Sequence, residues 1–395
     1  MIPSFNFTQI PHIIFGPGRL NDLYEFILKF GKNLLFVIGE NSLKRSGKWG
    51  QIESDLDQKS LQYSLINISG EPSPLLIDNS VKEFRNKNID LVISIGGGSV
   101  IDTGKAISAM IPKKDTIKNY LEGVGDKIHD GKKIPFIAIP TTSGTGSEAT
   151  KNAVISEVGP NGFKKSLRHD NLIPNVAIID PELMISCPQS ITAACGMDAF
   201  TQLLEAYVSP KGNPITESLA FSGLKFMSKN LLRASSTDST DIKVRTSMAY
   251  GSLISGITLA NAGLGIVHGL ASSIGGYFDI PHGIVCGTLL AEATKMNIKR
   301  LNYNKLIGGK ALRKYANVGA LIAGKNIADE ENINDYCSIL TNTLDNWIDQ
   351  LELDRLGKYN INLEDVDKII SKTGIKNNPV SLKKEDIRDI VINRL

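Results

Sequence analysis

The sequence predicts an α/β domain with a mostly parallel, Rossmann-like sheet over residues 1–185, followed by an all-helical domain over residues 186–395. Short β-branched apolar runs alternate with amphipathic stretches in the first half, which is typical of a parallel α/β sheet. From about residue 189 the strand pattern gives way to long stretches with helical spacing. A chain of 395 residues is also long enough for two domains.

Four apolar runs predict buried strands in the first half, because each is short and ends in polar residues or glycine. They cover residues 34–38, 91–95, 135–139 and 176–179, and residues 75–88 between the first two have helical spacing. The domain boundary is expected between Pro181 and Pro188. In the second half, helices are predicted over residues 189–208, 213–232, 241–260, 263–275, 284–297 and 335–350.

Composition and charge exclude several classes of protein. A net charge of +3 without a basic block argues against a nucleic-acid partner. No apolar run is long enough to span a membrane, and the N-terminus lacks the pattern of a secretion signal. The four cysteines form no CxxC pair, so we expect small apolar core residues in a cytoplasmic protein rather than disulfides.

A glycine-rich segment predicts an anion site at the end of a strand. Gly96, Gly97, Gly98 and Ser99 follow the strand at 91–95 and precede a helix, whose first N–H groups are unpaired. A diphosphate is the ligand that this arrangement favours, although a tight turn without a ligand would have the same pattern. Asp102 either faces that ligand or only adds a favourable charge to the helix start.

A second loop, residues 140–148, follows the next strand and carries five hydroxyl side chains and two glycines. Its position fits the ligand crevice at the carboxyl ends of parallel strands, although a solvated turn is the alternative. In the helical half, Asp198 and Gln202 are four residues apart on one helix face, and His268 and His282 are each followed by glycine. One Asp and two His can hold a divalent ion with an open position, but such histidines are also found as ordinary core residues.

Taken in order, five motifs resemble the iron-containing (group III) alcohol dehydrogenases: GGGSVID (96–102), PTTSGTGSEAT (140–150), GMDAFTQLLEAY (196–207), GLGIVHG (263–269) and PHG (281–283). The resemblance covers nearly the whole chain. It implies a dinucleotide-binding α/β domain, a helical metal-binding domain, and reversible hydride transfer between NAD(P) and a small alcohol or aldehyde. It also suggests a homodimer assembled through residues 2–15, possibly with further association.

The resemblance assigns roles residue by residue. It places the cofactor against Gly97, Gly98, Ser99, Thr141, Thr142 and Thr145, and against either Lys164 or the adjacent Lys165. It assigns Asp198, His268 and His282 as catalytic metal ligands. Gln202 stands where the family usually has a third histidine as the fourth ligand, and it is expected to complete the shell or hold a water. Ser272 replaces a further family histidine.

These departures leave the metal and the cofactor open. The set resembles that of glycerol dehydrogenases, which hold zinc, so the ion is expected to be Fe²⁺ or Zn²⁺. Gly39 stands where NAD-using members carry an acidic residue, so Ser42 and the following cations favour NADP over NAD, with Glu40 as the counter-argument. Three alternatives remain: a metal-independent enzyme like the maleylacetate reductases, a sugar-cyclising enzyme of the dehydroquinate synthase type, and a catalytically silent nucleotide-binding protein.

Overall fold

The computed structural model describes residues 2, 4–303 and 305–395. The strands are β1 (His12–Phe15), β2 (Asn33–Gly39), β3 (Gln62–Ile68), β4 (Leu91–Gly96), β5 (Phe136–Pro140), β6 (Asn152–Glu157), β7 (Phe163–Arg168) and β8 (Val176–Ile179). The helices of this half are α1 (Leu23–Phe30), α2 (Ser42–Arg45), α3 (Lys48–Gln58), α4 (Pro74–Phe84) and α5 (Gly98–Met110).

Six of these strands form one parallel sheet in the order β1-β8-β5-β4-β2-β3, and β6 and β7 form a separate antiparallel hairpin. Side chains alternate between the two faces of the sheet. On β2, Leu34 and Phe36 pack into one apolar cluster, whereas Leu35 and Val37 pack into the other. Both faces are therefore covered, which explains why the central strands have continuous apolar sequences.

The second half is built from nine helices within the described residues: α6 (Gln189–Val208), α7 (Pro214–Ala234), α8 (Ile242–Ala262), α9 (Ile266–Tyr277), α10 (His282–Tyr303), α11 (Lys305–Ile322), α12 (Ile333–Gln350), α13 (Val366–Lys372) and α14 (Lys384–Ile392). α6 packs against α7, α8 and α10 and is buried over most of its length. The side chains of α6 are consequently apolar on nearly every face, apart from those that face the site described below.

The predicted α/β and all-helical architecture is confirmed, and so are all four predicted strands and all six predicted helices of the second half. The helix expected over 75–88 ends earlier, at Phe84. β3 and the β6–β7 hairpin were not predicted, nor were α1, α11, α13 and α14, whereas β1 lies among the first strands that the resemblance places around residues 2–15. β8 ends at Ile179 and α6 begins at Gln189, so a boundary at residue 185 stays our prediction.

In the part of the chain that the structure describes, no helix taken alone has both the length and the apolar character needed to cross a membrane. α8 and α9 meet those criteria only when they are counted together, and they are bent by 97° relative to each other.

Candidate active site

A cavity of about 520 Å³ lies between the two halves of the chain, and both halves supply its walls. Gly98 and Ser99 line it at the start of α5, and Thr145 and Ser147 line it from the second loop. The β6–β7 hairpin and the helical half complete it, with Lys164, Gln202, Leu259, His268, Ser272, His282 and Lys376 among the lining residues. The two predicted sites therefore open into a single space.

The glycine loop and the second loop touch each other where their strands end. Thr141 donates its backbone N–H to the carbonyl of Gly96 at 2.9 Å, which extends the β4–β5 pairing into the loops. A Cβ atom added to Gly98 would lie 2.6 Å from Thr145 Oγ1 and Cγ2, and one added to Gly97 would lie 3.5 Å from Thr142 Oγ1. Gly98 therefore leaves room for the Thr145 side chain at the N-terminus of α5, where the helix dipole and free N–H groups favour an anion.

Two buried charges on α5 hold the second loop in place. Lys105 is fully buried, and its Nζ donates to the Ser147 carbonyl (2.7 Å), to Thr150 Oγ1 (3.0 Å) and to the Asn152 carbonyl (2.8 Å). Asp102 accepts from the Ser147 hydroxyl and, at 2.9 Å, from the backbone N–H of Val154. Lys105 Nζ also lies 3.7 Å from Asp102 Oδ1, so all these polar partners of the carboxylate belong to the anchor, although Asp102 also lines the cavity.

The second loop also touches the helical half through backbone alone. Gly146 has a positive φ of 60°, and a Cβ atom added to it would lie 2.5 Å from the Cα and N of Gly256 in α8. A Cβ atom added to Gly256 would in turn lie 2.1 Å from the Gly146 carbonyl oxygen. Only glycine at both positions permits this approach, which brings α8 against the loop.

Four potential metal-binding side chains converge on the helical side of the cavity. Asp198 on α6, His268 on α9, and His282 and Cys286 on α10 each offer a donor atom, and all four atoms lie within 4.8 Å of one another. His268 Nε2 lies 3.3 Å from Asp198 Oδ1, and His282 Nε2 lies 3.8 Å from the same oxygen. Cys286 Sγ lies 3.7 Å from each of the two Nε2 atoms.

These separations fit a tetrahedral cation. Zinc binds nitrogen and oxygen at about 2.0–2.2 Å and sulfur at about 2.3 Å, so donors around one tetrahedral ion lie roughly 3.3–3.7 Å apart. Hydrogen bonds alone would bring a carboxylate and an imidazole to about 2.8 Å. The donor chemistry and the spacing of these four residues therefore suit a divalent metal.

Glu205, two turns beyond Asp198 on α6, supports this cluster. Its Oε2 lies 2.8 Å from His268 Nδ1, and its Oε1 accepts from the backbone N–H of Val267 at 2.7 Å in the first turn of α9. A carboxylate that holds Nδ1–H leaves the Nε2 lone pair free to face a metal, an arrangement found around many metal-bound histidines. One side chain thus orients the ring and satisfies a free N–H at the helix start.

Gln202 lies beside the cluster on the same face of α6. Its Nε2 donates to Asp198 Oδ2 at 3.4 Å, and its Oε1 accepts from Ser255 Oγ at 2.8 Å. The Gln202 amide thus links Asp198 to Ser255 on α8 and holds the carboxylate in position. Direct binding of a metal by Gln202 remains a prediction from the sequence.

The pKa values in the cluster reflect burial opposed by close charges. Burial favours the neutral form of Asp198, but His282 and His268 outweigh it and lower the pKa of Asp198 to about 2. Burial lowers the pKa of His282 to about 4, which keeps its imidazole neutral as a ligand must be. Burial also raises the pKa of Cys286 to about 12, so a cation is needed to stabilise its thiolate.

The other predicted cofactor residues occupy two places. Lys164 lines the cavity and pairs with Glu71 at 3.0 Å, whereas the adjacent Lys165 is exposed. Gly39 ends β2 next to α5, and a Cβ atom added there would lie 3.6 Å from Ser42 Oγ. The hydroxyl of Ser42 therefore lies near the position where a carboxylate at residue 39 would extend.

Three supporting residues were not singled out from the sequence: Lys105, Glu205 and Cys286. A signal for Cys286 was present, because it follows His282 by four residues and so shares its helix face. The expectation that the cysteines are apolar core residues fits Cys337, which is buried, but Cys187 and Cys195 are only partly buried. For Cys286 the expectation is incomplete, because its sulfur lies 3.7 Å from the Nε2 atoms of two imidazoles.

Comparison with known proteins gives consistent matches along the chain. Residues 11–181 match the family model described as iron-containing alcohol dehydrogenase, and residues 192–395 match the C-terminal model of the same family. Alcohol dehydrogenase 4 of Saccharomyces cerevisiae is 33% identical over 306 residues, which cover 76% of this chain and 78% of the yeast protein. The NAD-dependent methanol dehydrogenase of Bacillus methanolicus is 31% identical over 294 residues, or 74% of this chain and 76% of that protein.

A solved structure of an alcohol dehydrogenase from Oenococcus oeni superposes with a TM-score of 0.86 at 28% identity, and the match covers 99% of this chain and 100% of that one.

Proposed function

The chain belongs to the iron-containing alcohol dehydrogenase family and is a nicotinamide-linked alcohol dehydrogenase, and from that premise we propose which residues and ligands carry its reaction. Asp198, His268 and His282 hold a divalent metal, and Cys286 is its fourth protein ligand. The observation that supports this assignment is the convergence of four donor atoms on the cavity that the glycine loop also lines.

The reaction interconverts a small aldehyde with NAD(P)H and a proton, and the alcohol with NAD(P)⁺. When bound, the metal would supply a Lewis acid for the substrate oxygen, which zinc with four protein ligands can do by accepting a fifth, and the nicotinamide would carry the hydride. The chain's residues provide the positions: Gly97, Gly98 and Ser99 receive the diphosphate, and Glu205 and Gln202 orient two of the ligands. Leu259 supplies an apolar wall for the substrate's carbon atoms.

We propose zinc rather than iron as the resident metal. Thiolate is a soft ligand that suits zinc, and the family histidine that would add a third imidazole is Gln202 here. Four of the six separations between the donor atoms are 3.3–3.8 Å, close to those around a tetrahedral zinc ion, and all six are within 4.8 Å.

The preferred cofactor is proposed to be NADP(H). Gly39 offers no carboxylate to repel a 2′-phosphate, and Ser42 Oγ lies beside it. Lys44 and Arg45 follow in α2 and are exposed, so their charges can approach a phosphate at this edge. A homodimer or larger homo-oligomer, and a cytoplasmic location, remain predictions. The segment suggested for dimer contacts, residues 2–15, includes Pro3, which lies outside the described residues.

The function is tested with a panel of small aldehydes, NADH or NADPH, and protein loaded with Zn²⁺ or Fe²⁺ or treated with a chelator. We expect zinc-dependent reduction with a kcat/KM about tenfold higher for NADPH than for NADH, since one charged contact discriminates by about 1.4 kcal/mol. Full activity at sub-stoichiometric metal would instead indicate the metal-independent alternative. Tight nucleotide binding without turnover of any substrate would indicate a catalytically silent nucleotide-binding protein.

Replacing Cys286 with serine tests the fourth ligand directly. In cobalt-substituted wild-type protein we expect the near-ultraviolet sulfur-to-cobalt charge-transfer band, and in zinc-loaded protein an absorption-edge signal for sulfur at about 2.3 Å. Cys286→Ser is expected to lose both signals while it still binds cobalt, and to shift the zinc-over-iron affinity ratio towards iron about tenfold.

The control for this experiment is Cys337→Ser, which removes a buried sulfur from α12, away from the cluster. It should keep both spectroscopic signals. Persistence of the charge-transfer band in Cys286→Ser would show that the sulfur of Cys286 does not bind the metal.

A further inference from the structure

Lys376 carries a positive charge on the wall of the cavity close to the proposed metal centre. Its Nζ donates to the carbonyl oxygen of His268 at 2.9 Å and to Ser272 Oγ at 3.3 Å. An ammonium has three N–H donors, so one remains for another acceptor. Its side chain is exposed to the cavity, and within the described residues it forms no ion pair with a carboxylate.

The cavity as a whole is positively charged. Five cationic side chains line it, against only two carboxylates, Glu71 and Asp102. Three of the cations have a carboxylate partner: Lys164 with Glu71, Lys151 with Asp170, and Arg168 with Glu122. Asp102 is occupied by its bonds to the second loop. Among the described residues, Lys211 and Lys376 are left without an ion pair.

The backbone holds Lys376 in place at some cost. Its φ is +53°, in the left-handed region that is unfavourable for a residue with a side chain. The next residue, Asn377, anchors the segment through its N–H to the Leu264 carbonyl at 2.9 Å. Glycine would adopt this conformation without that cost.

We propose that Lys376 binds an anionic group of the substrate, and that the natural substrate is a short aldehyde or alcohol bearing a carboxylate, sulfonate or phosphate. This inference rests on the proposed function, because it requires the donor cluster to be the place where the substrate's carbonyl oxygen lies. The charged end of the substrate then reaches Lys376. Leu259 and Leu264 line the cavity and contact the carbon atoms between the two ends. The anionic group takes no part in electron transfer, which remains hydride to carbon and a proton to oxygen.

The test compares matched aldehydes with and without an anionic group, using metal-loaded protein and saturating NADPH. The pairs are succinic semialdehyde with butanal, sulfoacetaldehyde with propanal, and a phosphorylated hydroxyaldehyde with the same hydroxyaldehyde without phosphate. We expect kcat/KM for the anionic partner to be about thirtyfold higher or more in at least one pair, since a charge-assisted contact adds about 2 kcal/mol. The pair with the largest ratio identifies the anion.

Lys376→Met is expected to lower the anionic-to-neutral ratio about thirtyfold, mainly through KM, and Lys376→Arg is expected to recover most of it. Lys372→Met, at the exposed end of α13, serves as the matched control and should keep the wild-type ratio. A ratio unchanged by Lys376→Met, or a wild-type preference for the neutral partners in every pair, would overturn the inference.

A binding measurement separates this inference from the proposed function. Titration of the metal-loaded protein with succinate, ethanesulfonate or phosphate needs no turnover, and Lys376→Met should weaken binding of one of them about tenfold. Anion binding through Lys376 without reduction of any aldehyde would remove the proposed function and keep the anion site. Reduction of butanal without any such binding would keep the function and remove the site.

Discussion

His268→Ala is expected to leave the protein without bound metal and to lower kcat/KM about a thousandfold or more, because the Lewis acid contributes several kcal/mol to the reaction. His268 is buried, and its Nε2 faces both Asp198 and Cys286. Its loss removes one donor and leaves the Glu205 carboxylate without the ring it orients. The measurements are metal content after dialysis against a metal buffer, aldehyde reduction, and dinucleotide affinity by fluorescence titration.

The nucleotide measurement makes this experiment specific, since the glycine loop lies in the other half of the chain. Dinucleotide affinity should stay within about twofold of wild type if the variant is folded. His12→Ala, which replaces an exposed histidine on β1, is the control and should retain metal and activity. Retained turnover in His268→Ala would contradict the metal assignment.

Gly98→Ala is expected to weaken dinucleotide binding about thirtyfold, equivalent to about 2 kcal/mol, while the metal content stays unchanged. The added methyl would meet Thr145 at 2.6 Å, so the threonine must move into the space in front of the α5 N-terminus. That space is where the N–H groups are proposed to receive the diphosphate. Equilibrium titration with NADPH measures the loss, and metal analysis of the same sample shows whether the second half is intact.

Gly50→Ala provides the comparison. Gly50 lies within α3, a Cβ atom there would meet nothing within 4 Å, and alanine is the better helix former by about 1 kcal/mol. This variant should bind NADPH as wild type does. If Gly98→Ala also binds normally, the glycine loop is not the diphosphate site.

The buried parts of the sheet were readable from the sequence because their apolar runs have no competing interpretation. β4 and β5 are covered on both faces, so nearly every residue in them is apolar. β3 lies at the edge of the sheet with the sequence QYSLINI, and β7 reads FKKSLR, so neither contains a continuous apolar run. Their strand structure depends on tertiary pairing, which local pattern does not encode.

Residues of the candidate site could be proposed from the sequence where they belong to contiguous motifs. Asp198, His268 and His282 were identified through the family resemblance, since their spacing alone also fits ordinary core histidines. Lys376 lies 108 residues from His268, whose carbonyl it binds, and only the folded chain brings them together. Glu205 belongs to the motif on α6, but its role depends on where α9 begins, because it accepts a backbone N–H from the first turn of that helix.

The glycine pair at positions 146 and 256 limits how the pocket can be reshaped. Since backbone meets backbone there, the gap between the loop and α8 is at its minimum, and any larger residue would wedge the two halves apart. Altered selectivity, whether it arises by natural drift or in the laboratory, must therefore come from side chains that project into the cleft, such as Leu259 and Lys376. The backbone contact that fixes the width of the cleft and the side chains that can change its selectivity are thus separate parts of the chain.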